Sequence, residues 1–356
     1  MKISMQLRYE GGAADVVAAA DQVAGLERAG LDLIWVPEAY AFDAPSFMGY
    51  LAARTSRVEI GAGILSVFTR TPALLAMTAA GVDALSGGRC HLGLGTSGPG
   101  VVEGLHGVPY AEPLARTRET VEVLRAFWKR DRPVTYDGRV LRLPLPPPDG
   151  GDEGGGTGLG VPMRLLTPPV RPAVPVWVAA LGPRNVRLTA EVADGWLPMF
   201  FVPERCEEIW GAELRAGAAA RDPRLGPLRV SAGGLLAIGP HAARERDRAR
   251  GQLALFIGGM GAPGHNYYYD LVCRYGYAAE AAAVARLYRA GDRVGAAAAV
   301  PAELLEATTL CGPESYIKDR IDAYRAAGVT HLQVQPVPGA GRTPAAQVAR
   351  LAELCA

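Results

Sequence analysis

Three side chains that could transfer a proton or orient a substrate lie close together in the sequence: Glu38, Tyr40 and Asp43. They follow an apolar segment at 33–37, which predicts a strand of a buried parallel sheet. Carboxylates and phenols exchange protons with a ligand when they are held within hydrogen-bonding distance of it. We expect Glu38 or Asp43 to lie nearest the reacting atoms, with Tyr40 as a second proton carrier.

A histidine adds another candidate for proton delivery. His106 lies in a glycine-containing loop after the fourth predicted strand. A single loop histidine more often binds nearby backbone than a substrate, so His106 ranks with Tyr40. His91 lies inside a predicted strand and is expected to be structural. The sequence has no Ser/His/Asp order, HExxH motif or P-loop lysine, which argues against a hydrolase or a kinase.

The segment that runs from Ala180 through Leu181, Gly182 and Pro183 to Arg184 is the best candidate for binding an anion. It follows an apolar strand at 175–179, and its proline is of the kind favoured at the first position of a helix. Backbone amides at such a helix start point outward and can bind phosphate. A plain turn between a strand and a helix fits the same residues equally well.

Gly93 to Gly98 match the GxGxxG pattern of dinucleotide-binding folds. That motif needs a helix directly after the glycines and an acidic residue about twenty positions further on. Pro99 and Gly100 follow instead and predict that no helix begins at once, and no strand ends in an acid at that distance. Close approach of the backbone to a flat ligand explains these glycines better.

The elements that would position these residues repeat along the chain. A helical pattern that passes through Ala-Gly or Asp-Gly into an apolar strand occurs at Gly30, Gly195 and Gly328. Glycine suits the left-handed position that closes a helix. The predicted strands are at 2–7, 33–37, 58–64, 90–95, 175–179, 195–199, 228–238 and 331–336. Eight such units predict an α/β fold of the (β/α)8 TIM barrel type, with a doubly wound open sheet as the alternative.

The barrel is predicted to form a single domain over residues 1–356, with two insertions at its C-terminal face. Residues 144–173 are rich in proline and glycine and predict a mobile cover or a disordered loop. Residues 240–310 are too long for one barrel helix and predict several short helices. Residues 134–142 predict a β-hairpin around Asp137-Gly138.

The composition argues against several classes of function. The 356 residues include 37 Lys and Arg against 36 Asp and Glu, so nucleic acid is not an expected partner. No uncharged apolar stretch is long enough for a bilayer, and charges interrupt the first residues too early for a signal peptide. The five cysteines lack metal-ligand spacing, so we expect no metal site, reduced thiols and a cytoplasmic location.

Several blocks of sequence, taken together and in order, resemble the luciferase-like monooxygenase superfamily. They are Thr55–Ile64, Arg70–Met77, Leu85–Gly95, Leu181–Asn185 and Glu191–Trp196. Within that superfamily the sequence is most similar to the branch that uses the deazaflavin coenzyme F420, which includes methylenetetrahydromethanopterin reductase. The segments Pro37–Tyr40, Gly258–Gly261 and Arg274–Tyr277 favour that branch.

The resemblance implies a (β/α)8 barrel, a homodimer and a cofactor ring lying against the third strand. It also implies a bulge with a non-prolyl cis peptide bond, which would map to Gly63-Ile64. The amides of Leu181 to Arg184 would hold the cofactor phosphate. The cofactor-binding residues expected on this basis are Gly61, Gly63, Ile64, Thr96, Ser97, Gly98, Ala180, Leu181, Gly182, Pro183 and Arg184.

The sequence also departs from part of the superfamily. In its sugar-phosphate dehydrogenases a histidine follows the acid after strand two, where this chain has Ala39, and their acid after strand four falls at or near Gly98. We therefore expect hydride transfer from reduced F420 to an activated C=C or C=N bond of a small molecule. The alternatives are an FMN-dependent monooxygenase and a non-catalytic flavin- or deazaflavin-binding protein.

Overall fold

A computed structural model describes residues 1–8, 13–147, 156–261, 264–337 and 342–356 of the chain. Within these residues the strands are β1 (Lys2–Gln6), β2 (Leu33–Val36), β3 (Glu59–Ala62), β4 (Leu65–Ser66), β5 (Cys90–Gly95), β6 (Tyr136–Asp137), β7 (Arg142–Leu143), β8 (Val176–Val178), β9 (Gly195–Trp196), β10 (Arg229–Ile238), β11 (Leu310–Gly312) and β12 (His331–Pro336). All eight predicted strands are present. The strand predicted at 195–199 is shorter than expected, β4 continues the third predicted strand, and β11 is additional.

The helices alternate with these strands in the manner of repeated βα units. They are α1 (Ala13–Arg28), α2 (Ala44–Arg54), α3 (Pro72–Ser86), α4 (Pro99–Val102), α5 (Pro113–Lys129), α6 (Pro183–Val192), α7 (Cys206–Ala220), α8 (Arg250–Gly259), α9 (Tyr267–Arg274), α10 (Ala278–Arg289), α11 (Arg293–Ala298), α12 (Ala302–Ala307), α13 (Glu314–Ala326) and α14 (Pro344–Cys355). Among these helices none combines the length and the apolar character that crossing a bilayer would require.

The chain groups into two compact units, of which the first comprises Met1–Trp35 and Ala179–Ala356. Its strands are parallel: β1 pairs with β2 and β12, and β10 pairs with β9, β11 and β12. Gly30 and Gly328 have φ values of +106° and +83°, which confirms left-handed glycines where a helix passes into a strand. The joint predicted at Gly195 differs, because α6 is followed by Ala193 in an extended conformation, with a φ of −95°.

The first unit also contains the predicted helical insertion at 240–310. Its described residues form a 3-10 helix at Ala242–Ala249 followed by α8 to α12. The prediction of several short helices is therefore confirmed, and the buried faces of these helices are apolar, with Leu253, Ile257 and Leu271 each at most 3% exposed.

The second unit comprises Val36–Val178. Here β5 lies between β3 and β8 in parallel register and also pairs with β4. The antiparallel pair of β6 and β7 confirms the predicted hairpin around Asp137-Gly138. The carboxylate of the buried Glu119 accepts hydrogen bonds from the amides of Arg139, Val140 and Leu141, which fixes the hairpin turn.

The predicted insertion at 144–173 belongs to the second unit, and its residues 148–155 lie outside the described part of the chain. Its return path is held by several contacts. Met163 forms a β-bridge with Val134, and Arg171 binds the fully buried Asp83 with Nε 3.0 Å from Oδ2. Arg130 also donates to the carbonyls of Leu165 and Leu166, and Arg171 donates to the carbonyl of Cys90. The end of the insertion is therefore attached to α3 and to β5.

Candidate functional site

The acids that follow β2 are held in an ion-pair cluster. Both oxygens of Glu38 accept from the guanidinium of Arg70, and one of them also accepts from the amide of Ala44 at 2.9 Å. Nη2 of Arg70 donates in addition to Oδ1 of Asp43 at 2.6 Å. Asp43 is also the N-cap of α2, since its Oδ2 accepts from the amide and the hydroxyl of Ser46. The cluster fixes the loop after β2 against the loop before α3.

The charges in this cluster stabilise one another. Burial alone would raise the pKa of Asp43, but the hydrogen bonds from Ser46 and the charge of Arg70 outweigh burial and hold that pKa below its usual range. The hydrogen bond to Glu38 raises the pKa of Arg70, which keeps the guanidinium charged. Asp43 is therefore an ionised acceptor at neutral pH and cannot act as an acid there.

The structure brings together two of the four predicted catalytic residues. Glu38 and Asp43 meet on Arg70, while Tyr40 lies in the same loop with 64% of its surface exposed. His106 lies in an exposed turn after α4. Arg70, which follows the third predicted strand, is a central residue to which the sequence prediction assigned no role. Its position after that strand and just before the Thr71-Pro72 helix start is the signal that could have identified it.

The predicted contact region for the cofactor ring begins where β3 is interrupted. The strand ends at Ala62, the Gly63-Ile64 peptide bond is cis as predicted, and the chain resumes as β4 at Leu65. The amide of Gly63 donates to the carbonyl of Val36 at 2.7 Å. Gly61 is buried, whereas Gly63 and Ile64 are half-buried and leave part of their surface for a ligand.

The second predicted segment for the ring, Thr96 to Gly98, directly follows β5. Ser97 has a φ of +55°, and its carbonyl accepts at 3.4 Å from the hydroxyl of Tyr110. A four-residue helix begins at Pro99, so the expectation that no helix would open there is wrong. Proline at the first helical position is the reason, because its fixed φ favours a helix start. The helix is one turn long, unlike the helix of a dinucleotide-binding motif.

The predicted anion site is the start of α6. Gly182 is its N-cap, no side chain caps the helix, and Pro183 occupies the first turn. In the described residues the amides of Arg184 and Asn185 donate to no other protein group, since the first backbone bond of this turn is from Val186 to Gly182. Two outward amides at the positive end of a ten-residue helix suit a phosphate.

Aromatic side chains fix the turn that leads into α6. The indole Nε1 atoms of Trp196 and Trp210 donate to the carbonyls of Ala180 and Leu181, each at 2.9 Å. On the other side, a Cβ placed on Gly182 would lie 3.4 Å from Cε1 of Tyr267. The turn is therefore rigid, and glycine leaves open the space beside the Tyr267 ring. Both features fit a bound phosphate group.

His91 has the structural role predicted for it. It is 2% exposed, its Nδ1 accepts from Nε1 of Trp177 at 2.8 Å, and its Nε2 lies 3.6 Å from a carboxylate oxygen of Glu59. The five cysteines are free thiols, also as predicted.

Known proteins resemble this chain over nearly its whole length. A protein of Mycobacterium tuberculosis provisionally named coenzyme F420-dependent oxidoreductase is 38% identical over 336 residues, which cover 94% of each sequence. The 5,10-methylenetetrahydromethanopterin reductase of Methanolobus tindarius is 28% identical over 313 residues, or 86% of each sequence.

A solved structure confirms the fold. The coenzyme F420-dependent tetrahydromethanopterin reductase of Methanopyrus kandleri superposes with a TM-score of 0.76 at 21% identity, covering 99% of this chain and 97% of that one. The predicted (β/α)8 barrel is thus confirmed, and the doubly wound sheet is excluded. The sequence profile of the luciferase-like monooxygenases matches residues 2–331. The chain belongs to the luciferase-like monooxygenase family, as its sequence blocks predicted.

Proposed function

We propose that this protein is a coenzyme F420-dependent oxidoreductase that reduces an activated C=C or C=N bond of a small organic molecule. The choice of coenzyme is supported by the relative of 38% identity, whose name includes it. When bound, reduced F420 supplies a hydride from its C5 atom, and the protein supplies binding, orientation and electrostatics.

The proposed direction of the reaction, reduction of the substrate, is supported by the state of the acid at the end of β2. Oxidising an alcohol requires a base that removes the hydroxyl proton, and such a base must be free to accept it. At the end of β2 the acid Glu38 is bound on both oxygens by Arg70, and the next residue is Ala39. In the loop after β5, Gly98 lies at or near the position where the sugar-phosphate dehydrogenases of the superfamily have an acid. Reduction of a polarised double bond needs no such base.

The remaining residues have simpler proposed roles. The amides at the start of α6, with Ala180, Leu181 and Gly182 shaping the turn, hold the coenzyme phosphate. Gly61 to Ile64 and Thr96 to Gly98 contact its ring. The proton that completes the reduction reaches the substrate atom next to the hydride-accepting carbon from Tyr40, from His106 or from water. Glu38 and Asp43 hold the loop after β2 in place through Arg70.

The first experiment is a side-by-side titration of the protein with F420 and with FMN, followed by fluorescence quenching at physiological salt. Selective F420 binding, followed by anaerobic oxidation of reduced F420 with conjugated aldehydes, ketones or imines, supports the proposal. Selective FMN binding with oxygen consumption indicates a monooxygenase instead. F420 binding with no turnover across the acceptor panel indicates a non-catalytic coenzyme-binding protein.

We also propose that the protein is a cytoplasmic homodimer formed through α3. This helix contains one charged residue, Asp83, which is fully buried. Its outward side presents Leu74, Met77 and Leu85, which are 45%, 52% and 70% exposed. An exposed helical face without charge is typical of an interface. The five free thiols fit a reducing compartment.

A further inference from the structure

Phe200, which follows β9 by four residues, has a backbone conformation that bulky residues rarely adopt. Its φ is +51°, in the left-handed region. Its carbonyl accepts a hydrogen bond of 2.9 Å from the hydroxyl of Tyr275, and the same hydroxyl oxygen accepts from the amide of Val202 at 3.4 Å. These two bonds hold the backbone on both sides of residue 201. Such outliers concentrate at ligand sites.

The ring of Phe200 meets two aromatic side chains of the helical insertion. Its centroid lies 5.4 Å from that of Phe256 on α8 and 5.8 Å from that of Tyr268 on α9, both in edge-to-face geometry. Phe256 and Tyr268 are 4.7 Å apart and also edge-to-face. We call these three residues the aromatic wall. Every pair in it has a favourable aromatic geometry.

One buried side chain fixes two members of the wall relative to each other. Oδ1 of Asn266 accepts from the amides of Tyr268 and Tyr269 and so caps α9. Its Nδ2 donates to the carbonyls of Phe256 and Ile257 at the end of α8, at 2.9 and 3.0 Å. Asn266 is 7% exposed and makes all four of these bonds, so the two rings are held in a preset arrangement.

The aromatic wall is distinct from the hydrophobic core beside it. The core rings nearby, Trp196, Phe201 and Trp210, are each at most 1% exposed, whereas all three wall residues are half-buried. A ring that only fills the core is expected to be fully buried, so partial exposure distinguishes the wall residues from the core. The wall follows the carboxyl end of β9, and ligands of parallel barrels bind at that edge.

The wall also adjoins the proposed phosphate site. Tyr267 directly precedes Tyr268 on α9, and its ring lies beside Gly182 at the start of α6. Burial raises the pKa of Tyr268 to about 12, so its phenol is neutral at physiological pH. With two phenylalanines and a neutral phenol, the wall offers aromatic surface and no charge.

We propose that the aromatic wall binds the substrate of this enzyme and selects a planar, uncharged, conjugated ring system. The identity of this ligand as a substrate rests on the proposed function, whereas the selectivity of the wall does not. A flat ring can pack against the surface that Phe256 and Tyr268 leave exposed, whereas a puckered ring of equal size loses part of that contact.

A pair of matched probes tests the wall. Cinnamamide and 3-cyclohexylacrylamide carry the same conjugated amide and the same number of carbon atoms but differ in the planarity of the ring. Their binding is measured by calorimetry on the protein saturated with oxidised F420, where no turnover occurs, and again without coenzyme. We expect cinnamamide to bind about tenfold more tightly. Equal affinity for the two probes, or no binding of cinnamamide, overturns the proposal.

Three variants assign the selectivity to the wall. Phe256→Leu and Tyr268→Leu keep an apolar side chain without a flat face, and each should remove most of the preference while F420 affinity stays within about twofold. Tyr269→Leu, on the same helix but outside the wall, is the matched control and should keep the preference. Retention of the preference in both wall variants overturns the proposal. Failure of F420 to bind would overturn the proposed function alone, because the preference for cinnamamide is also measured on the protein without coenzyme.

Discussion

Arg70 binds Glu38 through both terminal nitrogens of its guanidinium, with Nη2 2.9 Å from Oε2. A bidentate pair of this kind fixes the orientation of a carboxylate as well as its position. Both side chains are only 15% exposed, so solvent and salt weaken the pair less than they weaken a surface ion pair. The acid that the sequence indicates as a proton carrier is thus a fixed acceptor that shapes the end of β2.

Replacing Glu38 with glutamine should lower turnover and spare coenzyme binding. The amide group turns one donor toward the Arg70 guanidinium, which breaks one of the two parallel bonds and loosens the loop after β2. We expect kcat to fall about tenfold or more, with F420 affinity within about twofold of wild type. Steady-state kinetics and fluorescence titration measure the two quantities separately.

The matched control for that substitution is Glu112→Gln. Glu112 also binds an arginine, Arg139, but the two side chains are 46% and 71% exposed. An exposed pair contributes little, so this variant should resemble wild type in kcat and in thermal stability. Unchanged turnover in Glu38→Gln would remove Glu38 from the mechanism.

Asp43 should make the folded state sensitive to acid. Its pKa is lowered in the folded protein, so its contribution to stability is complete above the ordinary aspartate pKa of about 3.9 and is lost as the pH falls through the lowered value. Asp43→Asn should therefore reduce the difference in free energy of unfolding between neutral and strongly acidic pH. Urea unfolding at both pH values measures that difference.

Asparagine also caps helices well. The decrease in free energy of unfolding that Asp43→Asn causes at neutral pH therefore reports the ion pair with Arg70 more than the cap of α2. Asp292→Asn alters the N-cap of α11, where Asp292 accepts from the amide of Gly295, and measures the effect of the capping change itself. If Asp43→Asn were no less acid-sensitive than wild type, the proposed charge balance around Arg70 would be incorrect.

Local chemistry let the sequence predict the elements and their ends. Gly30 and Gly328 are left-handed because a closing helix needs that conformation, and Pro183 begins α6 because its φ is already helical. Pro99 follows the same rule and begins α4, contrary to the expectation that no helix would open there. Such preferences act within a few residues and can be recognised from spacing alone.

Contacts between residues that are far apart in the sequence could not be predicted in this way. Arg70 is separated by 32 residues from Glu38, and Tyr268 by 68 positions from Phe200. Nothing in the local sequence specifies either contact, because each depends on how distant loops meet after the strands have paired. The ionised, ion-paired state of Asp43 was missed for the same reason, since its arginine partner lies 27 residues away.

Gly182→Ala should weaken coenzyme binding with little effect on folding. Its φ of −69° is open to any residue, and the added Cβ would lie 3.4 Å from Cε1 of Tyr267, which is ordinary contact. The methyl group would, however, fill the space beside the outward amides at the start of α6. We expect F420 to bind about tenfold more weakly, and the free energy of unfolding to change by less than about 1 kcal/mol.

Gly251→Ala is the control for that substitution. A Cβ at this position in α8 meets no atom within 4 Å, so the helix should gain about 0.5–1 kcal/mol with F420 affinity unchanged. Wild-type F420 affinity in Gly182→Ala would show that the phosphate is bound elsewhere.

The outward face of α3 predicts the assembly state. Leu85 is the most exposed apolar residue of this face, at 70%, and a second copy of the chain would cover it in the proposed homodimer. Leu85→Glu places a charge in the interface and should convert the dimer to a monomer, since an unpaired buried charge is strongly unfavourable. Light scattering coupled to size-exclusion chromatography gives the mass directly.

Val294→Glu, at an 82% exposed position of α11, tests whether any new surface charge has this effect and should leave the mass unchanged. A monomeric wild type, or a dimeric Leu85→Glu variant, would refute the assignment of this face.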